Sequence, residues 1–283
     1  TLEPCSHFGK TNPCAKKLIK AKVKRVVCPL EDPDPRVSGN GFNLLKKHGI
    51  IVDQSSTLIK ETKKLAEGFL RVKKSNRPFI AIKLALSLNN KISTKPKERT
   101  LISGQSARNF VHFLRSQYDA VMVGGKTALV DNPKLNLRDQ FSNLPQPVRI
   151  VLDTDLSLST NSNFAKNLEI QNLIIVHNKE FNQIASQKWP NNVKTMGIST
   201  DNNNRLNLKE LFIKLAGYGL TSVLVEGGGN IATSLIKESL VDRLILFTAG
   251  IILDKRGVEG FNPLLSLSTP QLHYPRFELE NLF

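Results

Sequence analysis

Glu226 is followed at once by Gly227, Gly228 and Gly229, at the end of an apolar, β-branched run that begins at Ser222. A carboxylate at the carboxyl end of a buried strand can orient a ligand, and a backbone without Cβ atoms can approach an anion closely. Asn230 reads as the cap of a helix in which Ile231, Leu235 and Ile236 share one face. The N–H groups and positive dipole end of such a helix favour a phosphate. Gly228, Gly229, Asn230, Ile231, Ala232, Thr233 and Ser234 therefore form a candidate phosphate-binding stretch. An ordinary strand-to-helix turn has the same pattern.

Lys83 sits in the middle of an apolar run, RPFIAIKLALSL (77–88). A lysine there needs a partner or a cavity, or it snorkels at an edge. Arg115 falls near the end of a helix predicted from a Ser103 cap to about Gln117. Its fork suits a phosphate or a planar base, and equally a helix surface. A predicted strand over 119–123 runs into Gly124-Gly125-Lys126-Thr127, a second strand–glycine–polar junction. Asp131-Asn132-Pro133 is a turn signal, and a strand over 148–152 ends in Asp153-Thr154.

At the other end of the chain Cys5 and Cys14 flank His7. Two nearby thiolates suggest zinc, which needs two further ligands for a tetrahedral site. His7 is either a ligand or a neighbour of the metal or substrate. Cys28, on a strand predicted over 25–30, reads as a buried small apolar residue.

The string TLEPCSHFGKTNPC, residues 1–14, resembles the zinc loop of the riboflavin-biosynthesis deaminase, one half of a bifunctional deaminase/reductase. Zinc deaminases hold the metal with two cysteines and a histidine, and a glutamate two residues after that histidine moves protons. The resemblance implies Cys5 and Cys14 as metal ligands. None of His7, His48, His112, His177 and His273 is followed by glutamate at that spacing. The expectation is an incomplete zinc site, no deamination by this chain, and a sequence that is a piece of a longer protein.

RPFIAIKLALSLNNKIS resembles the opening of the reductase half, with Asn89-Asn90 in place of an Asp-Gly turn; asparagine tolerates the left-handed conformation such a turn requires. TALVDNPKLNLR (127–138) is similar to the family pattern T-x-x-x-D-(D/N)-P-x-L-x-x-R. The resemblance implies an NADPH site that includes Ala85, Leu101, Thr127, Asp131 and Thr154 beside the glycine stretch. It also implies substrate contacts from Arg99, Arg115, Leu135, Arg138 and Glu226, although Arg99 replaces a small serine. Lys83 and Glu226 are the candidate acid/base and substrate-orienting pair.

These residues need strand ends to hold them. Strands alternating with helices predict an α/β chain with a mostly parallel sheet. By resemblance it is a partial cytidine-deaminase-like domain (1–75) followed by a dihydrofolate-reductase-like α/β reductase domain (76–283). No GxGxxG is present. One helix is expected over 61–74, and a long central strand over 244–253. The weakly patterned tail LHYPRFELENLF is expected to stop short of a last strand.

The net charge of +16 comes mostly from lysines scattered along an Asn-rich chain, the pattern of a solvated basic surface. No basic run is interleaved with aromatics as single-strand binding requires. No apolar run reaches the ~20 residues of a membrane span. Three cysteines make no disulfide framework, so a cytoplasmic setting is expected. The expected partner is a phosphorylated pyrimidine, with neither nucleic acid nor membrane, and with homo-oligomerisation left open. The rivals are a catalytically silent zinc-holding interaction module or paralogue and, on charge alone, a nucleic-acid binder.

Overall fold

The computed structural model describes residues 2–9 and 11–261. The chain divides into two compact units, residues 1–78 and 79–283.

The first unit contains helices α1 (Cys14–Lys20), α2 (Asn40–Lys47), α3 (Ile59–Leu65) and α4 (Glu67–Ser75), with strands β1 (Arg25–Val27) and β2 (Ile51–Asp53) between them. β1 and β2 pair in parallel, and Ala15, Leu45 and Ile50 form the core beneath. The single helix expected over 61–74 is two helices. Ala66, with φ −104° and ψ 10°, leaves the helical range between them. A buried carboxylate organises the Pro/Gly-rich loop over 31–41. Glu3 is 4% exposed and accepts N–H donors from Gly41 at 2.7 Å, Gly39 at 2.9 Å, Phe42 at 3.1 Å and Asp32 at 3.3 Å. Four donors replace its water, which is what makes burial of the charge tolerable.

In the second unit the strands are β3 (Phe79–Ser87), β4 (Lys91–Ser93), β5 (Ala120–Gly124), β6 (Val148–Leu152), β7 (Leu173–Asn178), β8 (Lys194–Ile198), β9 (Ser222–Glu226), β10 (Arg243–Ala249) and β11 (Val258–Glu259). The helices are α5 (Gln105–Ser116), α6 (Gly125–Asp131), α7 (Asn182–Lys188), α8 (Leu208–Gly217) and α9 (Gly229–Lys237). Seven strands form one sheet in the order β10-β3-β9-β5-β6-β7-β8, every pair parallel. Alternation along each strand divides the core. Ile80, Ile82, Val223 and Val225 pack with α8 and α9 on one face. On the other, Val121 and Val151 pack with Ala128 of α6 and Ala185 of α7, and Phe79, Ala81 and Leu224 with Tyr118 beyond α5.

Three local expectations are corrected. β10 is not central, because among the described residues it pairs only with β3. Leu246 is 44% exposed, whereas a central parallel strand is buried on both faces. Helix α5 begins after Gly104, not after Ser103, and makes no side-chain cap bond. Helix α9 is capped by Gly228 at φ 25°, with Asn230 inside its first turn; the positive φ at that cap suits glycine. The expected left-handed turn is present, with Asn90 at φ 59°. The tail LHYPRFELENLF lies outside the described residues.

Candidate active site

Lys83 and Glu226 are register partners on neighbouring parallel strands. β9 ends at Glu226 while β3 runs on past Lys83, so a mid-strand lysine lies beside a strand-end carboxylate. Both share the face of Ala81 and Leu224, which is the α5 side of the sheet. From α5 Arg115 reaches Glu226 with both arms of its fork, Nε to Oε1 at 2.5 Å and Nη2 to Oε2 at 2.9 Å. Its Nη1 donates to the Asn136 carbonyl at 2.9 Å. The two side chains are 10% and 13% exposed.

The charges follow from that placement. Burial pushes the Glu226 carboxyl up, but Arg115, helped by Lys83 and His112, outweighs it and holds the group below the usual carboxylate range. Burial pulls Lys83 down; Glu226 opposes this and Arg115 adds to it, leaving the ammonium below its ordinary value. Lys83 Nζ also lies 5.1 Å from the centroid of the Phe247 ring on β10, a cation–π arrangement. His112 stands one turn before Arg115 on α5. It is 6% exposed and its buried Nδ1 has no hydrogen-bond partner.

The glycine loop lies at the same edge of the sheet. Gly227 has φ +138°, and a Cβ there would meet Thr127 Oγ1 at 2.8 Å. A Cβ on Gly229 would meet the carbonyls of Glu259 and Gly260 at 2.5 and 2.8 Å. That second segment is held by the Lys91–Glu259 ion pair across the β4–β11 pairing. The loop thus packs its glycines against Thr127 and the 259–260 backbone, at the start of a nine-residue helix whose N-cap bears no side-chain oxygen. These residues fit the anionic part of a nucleotide cofactor.

The four strands proposed to supply site residues, β3, β9, β5 and β6, are consecutive in the sheet. Ala85 shares Lys83's face, and Thr127 abuts the glycine loop. Thr154 follows β6, where its carbonyl accepts from Asn178 N–H at 3.0 Å. Asp131, at the end of α6, is half-buried; burial pushes its carboxyl up and Arg99 pulls it back in part. Arg99, Leu101 and Arg138 are exposed.

Three assignments need correction in kind. Leu135 is 2% exposed and packs with Val121 and Phe164, so its side chain is not offered to a substrate. The Arg115 fork is engaged by Glu226 rather than open as a free clamp. Ile231 and Ala232 turn their side chains into the core, which leaves only their backbone for a cofactor. His112 and Asn136 were not singled out as site residues; for His112 the available signal was its i, i+3 spacing from Arg115.

In the first unit the Cys14 N–H donates to Cys5 Sγ at 3.4 Å, so the two thiols are neighbours. Among the described residues no group of three or more His, Cys, Asp and Glu could hold a metal ion. The two thiols supply half of a tetrahedral zinc site, and the described residues do not complete it.

A parallel sheet with a lysine–carboxylate–guanidinium centre and a glycine loop at its carboxyl edge is a ligand-binding α/β arrangement, and comparison with known proteins makes it a nucleotide-dependent reductase with a dihydrofolate-reductase-like fold. The model of one family, the RibD C-terminal domain, matches residues 78–278. The chain belongs to that family. It is 34% identical over 266 residues to the riboflavin biosynthesis protein RibD of Buchnera aphidicola, covering 89% of this chain and 69% of that one. The structure of Acinetobacter baumannii RibD superposes with a TM-score of 0.85 at 30% identity, over 99% of this chain and 75% of that one. A diaminohydroxyphosphoribosylaminopyrimidine deaminase/5-amino-6-(5-phosphoribosylamino)uracil reductase from Thermotoga maritima gives 0.82 at 32% identity, over 99% and 74%.

Proposed function

We propose that the chain performs the reductase step of riboflavin biosynthesis, the NADPH-dependent reduction of 5-amino-6-(5-phosphoribosylamino)uracil to its ribitylamino product. The observation that supports it best is the register pairing of Lys83 with Glu226, beside the glycine cradle, in a chain of this family. Residues 1–75 are read as the C-terminal part of a deaminase domain and residues 76–283 as the reductase. The Thermotoga likeness, which spans both, supports that division.

Bound NADPH supplies a hydride to C1 of the opened ribose, an imine-like carbon. The chain's own residues do the rest. The cradle at Gly227 to Gly229 and the start of α9 hold the cofactor's phosphates, with Thr127 and Thr154 beside them. Glu226, fixed by Arg115, accepts hydrogen bonds from the substrate and sets its orientation. Lys83, with its pKa lowered by burial, is the proton donor to the atom that gains negative character as the carbon is reduced. Arg138 and Arg99, both exposed, are the proposed cations for the substrate phosphate.

The test is loss of NADPH absorbance on adding the phosphoribosylamino substrate, with the ribitylamino product identified by mass. Turnover is expected with the complete chain. Absence of cofactor oxidation with this substrate, in protein shown to be folded, would overturn the proposal.

A further inference from the structure

Residues 250–260 form a strap that leaves the end of β10, passes the turn after β3 and reaches the start of α9. β3 lies between β10 and β9 in the sheet, so the strap crosses the carboxyl end of the strand that carries Lys83. Asn89 holds it by exchanging two hydrogen bonds with the backbone of Leu253. Its Oδ1 accepts from the Leu253 N–H at 3.0 Å, and its Nδ2 donates to the Leu253 carbonyl at 2.7 Å. The Ser87 hydroxyl donates to the same Oδ1 at 2.8 Å and accepts from the Lys91 N–H at 2.9 Å. Lys91 is 7% exposed; its Nζ pairs with Glu259 and donates to the Lys255 carbonyl at 3.4 Å. Farther along, the Gly260 N–H donates to the Asn90 carbonyl at 2.8 Å. The carbonyls of Glu259 and Gly260 are the ones that a Cβ on Gly229 would meet. The strap therefore lies directly on the first residue of α9, with no side chain between them.

We propose that Asn89 and Lys91 are positioning residues for the nucleotide cofactor, acting through the strap on the start of α9. The inference rests on the reductase reading for the identity of the ligand and on these hydrogen bonds for the rest. A helix start offers an anion its backbone N–H groups, and their aim depends on where the first turn is held. On one side that turn follows Gly227, packed against Thr127; on the other it rests on the strap. Leu253 presents one donor and one acceptor to the side chain at 89, and asparagine answers both, whereas a carboxylate only accepts. Aspartate there would keep the shape but set an oxygen against the Leu253 carbonyl, two acceptors with no hydrogen between them. Methionine at 91 would fill similar space and leave Glu259 without this cation. Either change loosens the strap and lets the first turn of α9 shift, with every residue of the glycine loop intact.

The experiment compares wild type with Asn89→Asp, Lys91→Met and a control, Asp119→Ala, each checked for folding by circular dichroism. Asp119 Oδ2 accepts from the N–H and hydroxyl of Thr221 and the N–H of Ser222 at the amino end of β9. Its loss therefore weakens the same part of the sheet away from the strap. Calorimetric titration is expected to show NADPH bound about tenfold more weakly by Asn89→Asp and by Lys91→Met, and with wild-type affinity by Asp119→Ala. At saturating NADPH, kcat should fall much less than affinity, because Lys83 and Glu226 keep their places. Native-state hydrogen exchange should be faster at the Leu253 and Gly260 amides in Asn89→Asp and unchanged there in Asp119→Ala. Wild-type affinity in both strap variants, or an equal loss in Asp119→Ala, overturns the inference. So does unchanged exchange at Leu253 and Gly260 in Asn89→Asp. Folded wild-type protein that binds no NADPH would overturn the reductase reading itself, and the exchange measurement, which needs no cofactor, would still decide whether Asn89 holds the strap.

Discussion

Arg115 grips Glu226 through two parallel hydrogen bonds, at 2.5 and 2.9 Å, and the two residues come from a helix and a strand end 111 residues apart. Removing one partner leaves the other as a buried, uncompensated charge. Arg115→Ala is therefore expected to lower unfolding free energy by about 3–5 kcal/mol, the usual cost of breaking a buried pair. The double variant Arg115→Met/Glu226→Leu should lose less than Arg115→Ala alone. Urea unfolding of the three proteins checks the order, and a double variant as unstable as the single one would contradict it.

In the proposed mechanism Lys83 acts as its ammonium. Lys83→Ala should cost roughly 10²–10⁴-fold in kcat, the range of a general acid, with a smaller change in NADPH affinity. Because burial lowers its pKa, wild-type turnover should fall on the alkaline side at a pH below the ordinary lysine value. Full turnover by Lys83→Ala would remove it from the mechanism.

Gly227 cannot take a side chain without strain at φ +138° and without displacing Thr127. Gly227→Ala should weaken NADPH binding by about tenfold or more, equivalent to ~1.4 kcal/mol, measured by calorimetric titration. Gly104→Ala is the control, because nothing lies within 4 Å of its would-be Cβ. Equal affinities in the two variants would argue against the cradle.

Glu210 caps a different corner, where Lys214 and Ser199 pull its pKa down to about 2. A depressed carboxylate stabilises the fold above its unfolded pKa and loses that contribution as pH falls through the folded value. The stability gap between wild type and Glu210→Gln should be full at neutral pH and shrink progressively between the ordinary glutamate value and about 2. Thermal melts across that window measure it.

The strands were legible because apolar runs broken by glycine leave little choice of element; β9 spans the residues read from its composition. The glycine loop was legible too, since nothing else in the chain puts three glycines after a carboxylate. What stayed hidden depends on neighbours distant in sequence. Leu135 looked like a ligand contact by motif, yet its burial comes from Phe164 and Leu173. Arg115 carried no sign that its partner would be Glu226. Glu3 looked like one residue of a zinc loop, and its four N–H donors lie far along the chain. The edge position of β10 follows from strand order, which local periodicity does not encode.

The strand order also dictates when the reductase centre can come into being. β3 leaves the ribosome early, but its neighbours in the sheet, β9 and β10, are made near the end of the chain. Until they arrive, the run from Phe79 to Leu86 has no sheet to join, and Lys83 has no carboxylate beside it. Such long-range parallel pairing is slow and leaves apolar strands open to aggregation. A ribosome stalled before Glu226 would hold a nascent chain with nearly all of the sheet's residues and none of its chemistry, and that interval is where chaperone capture would matter most.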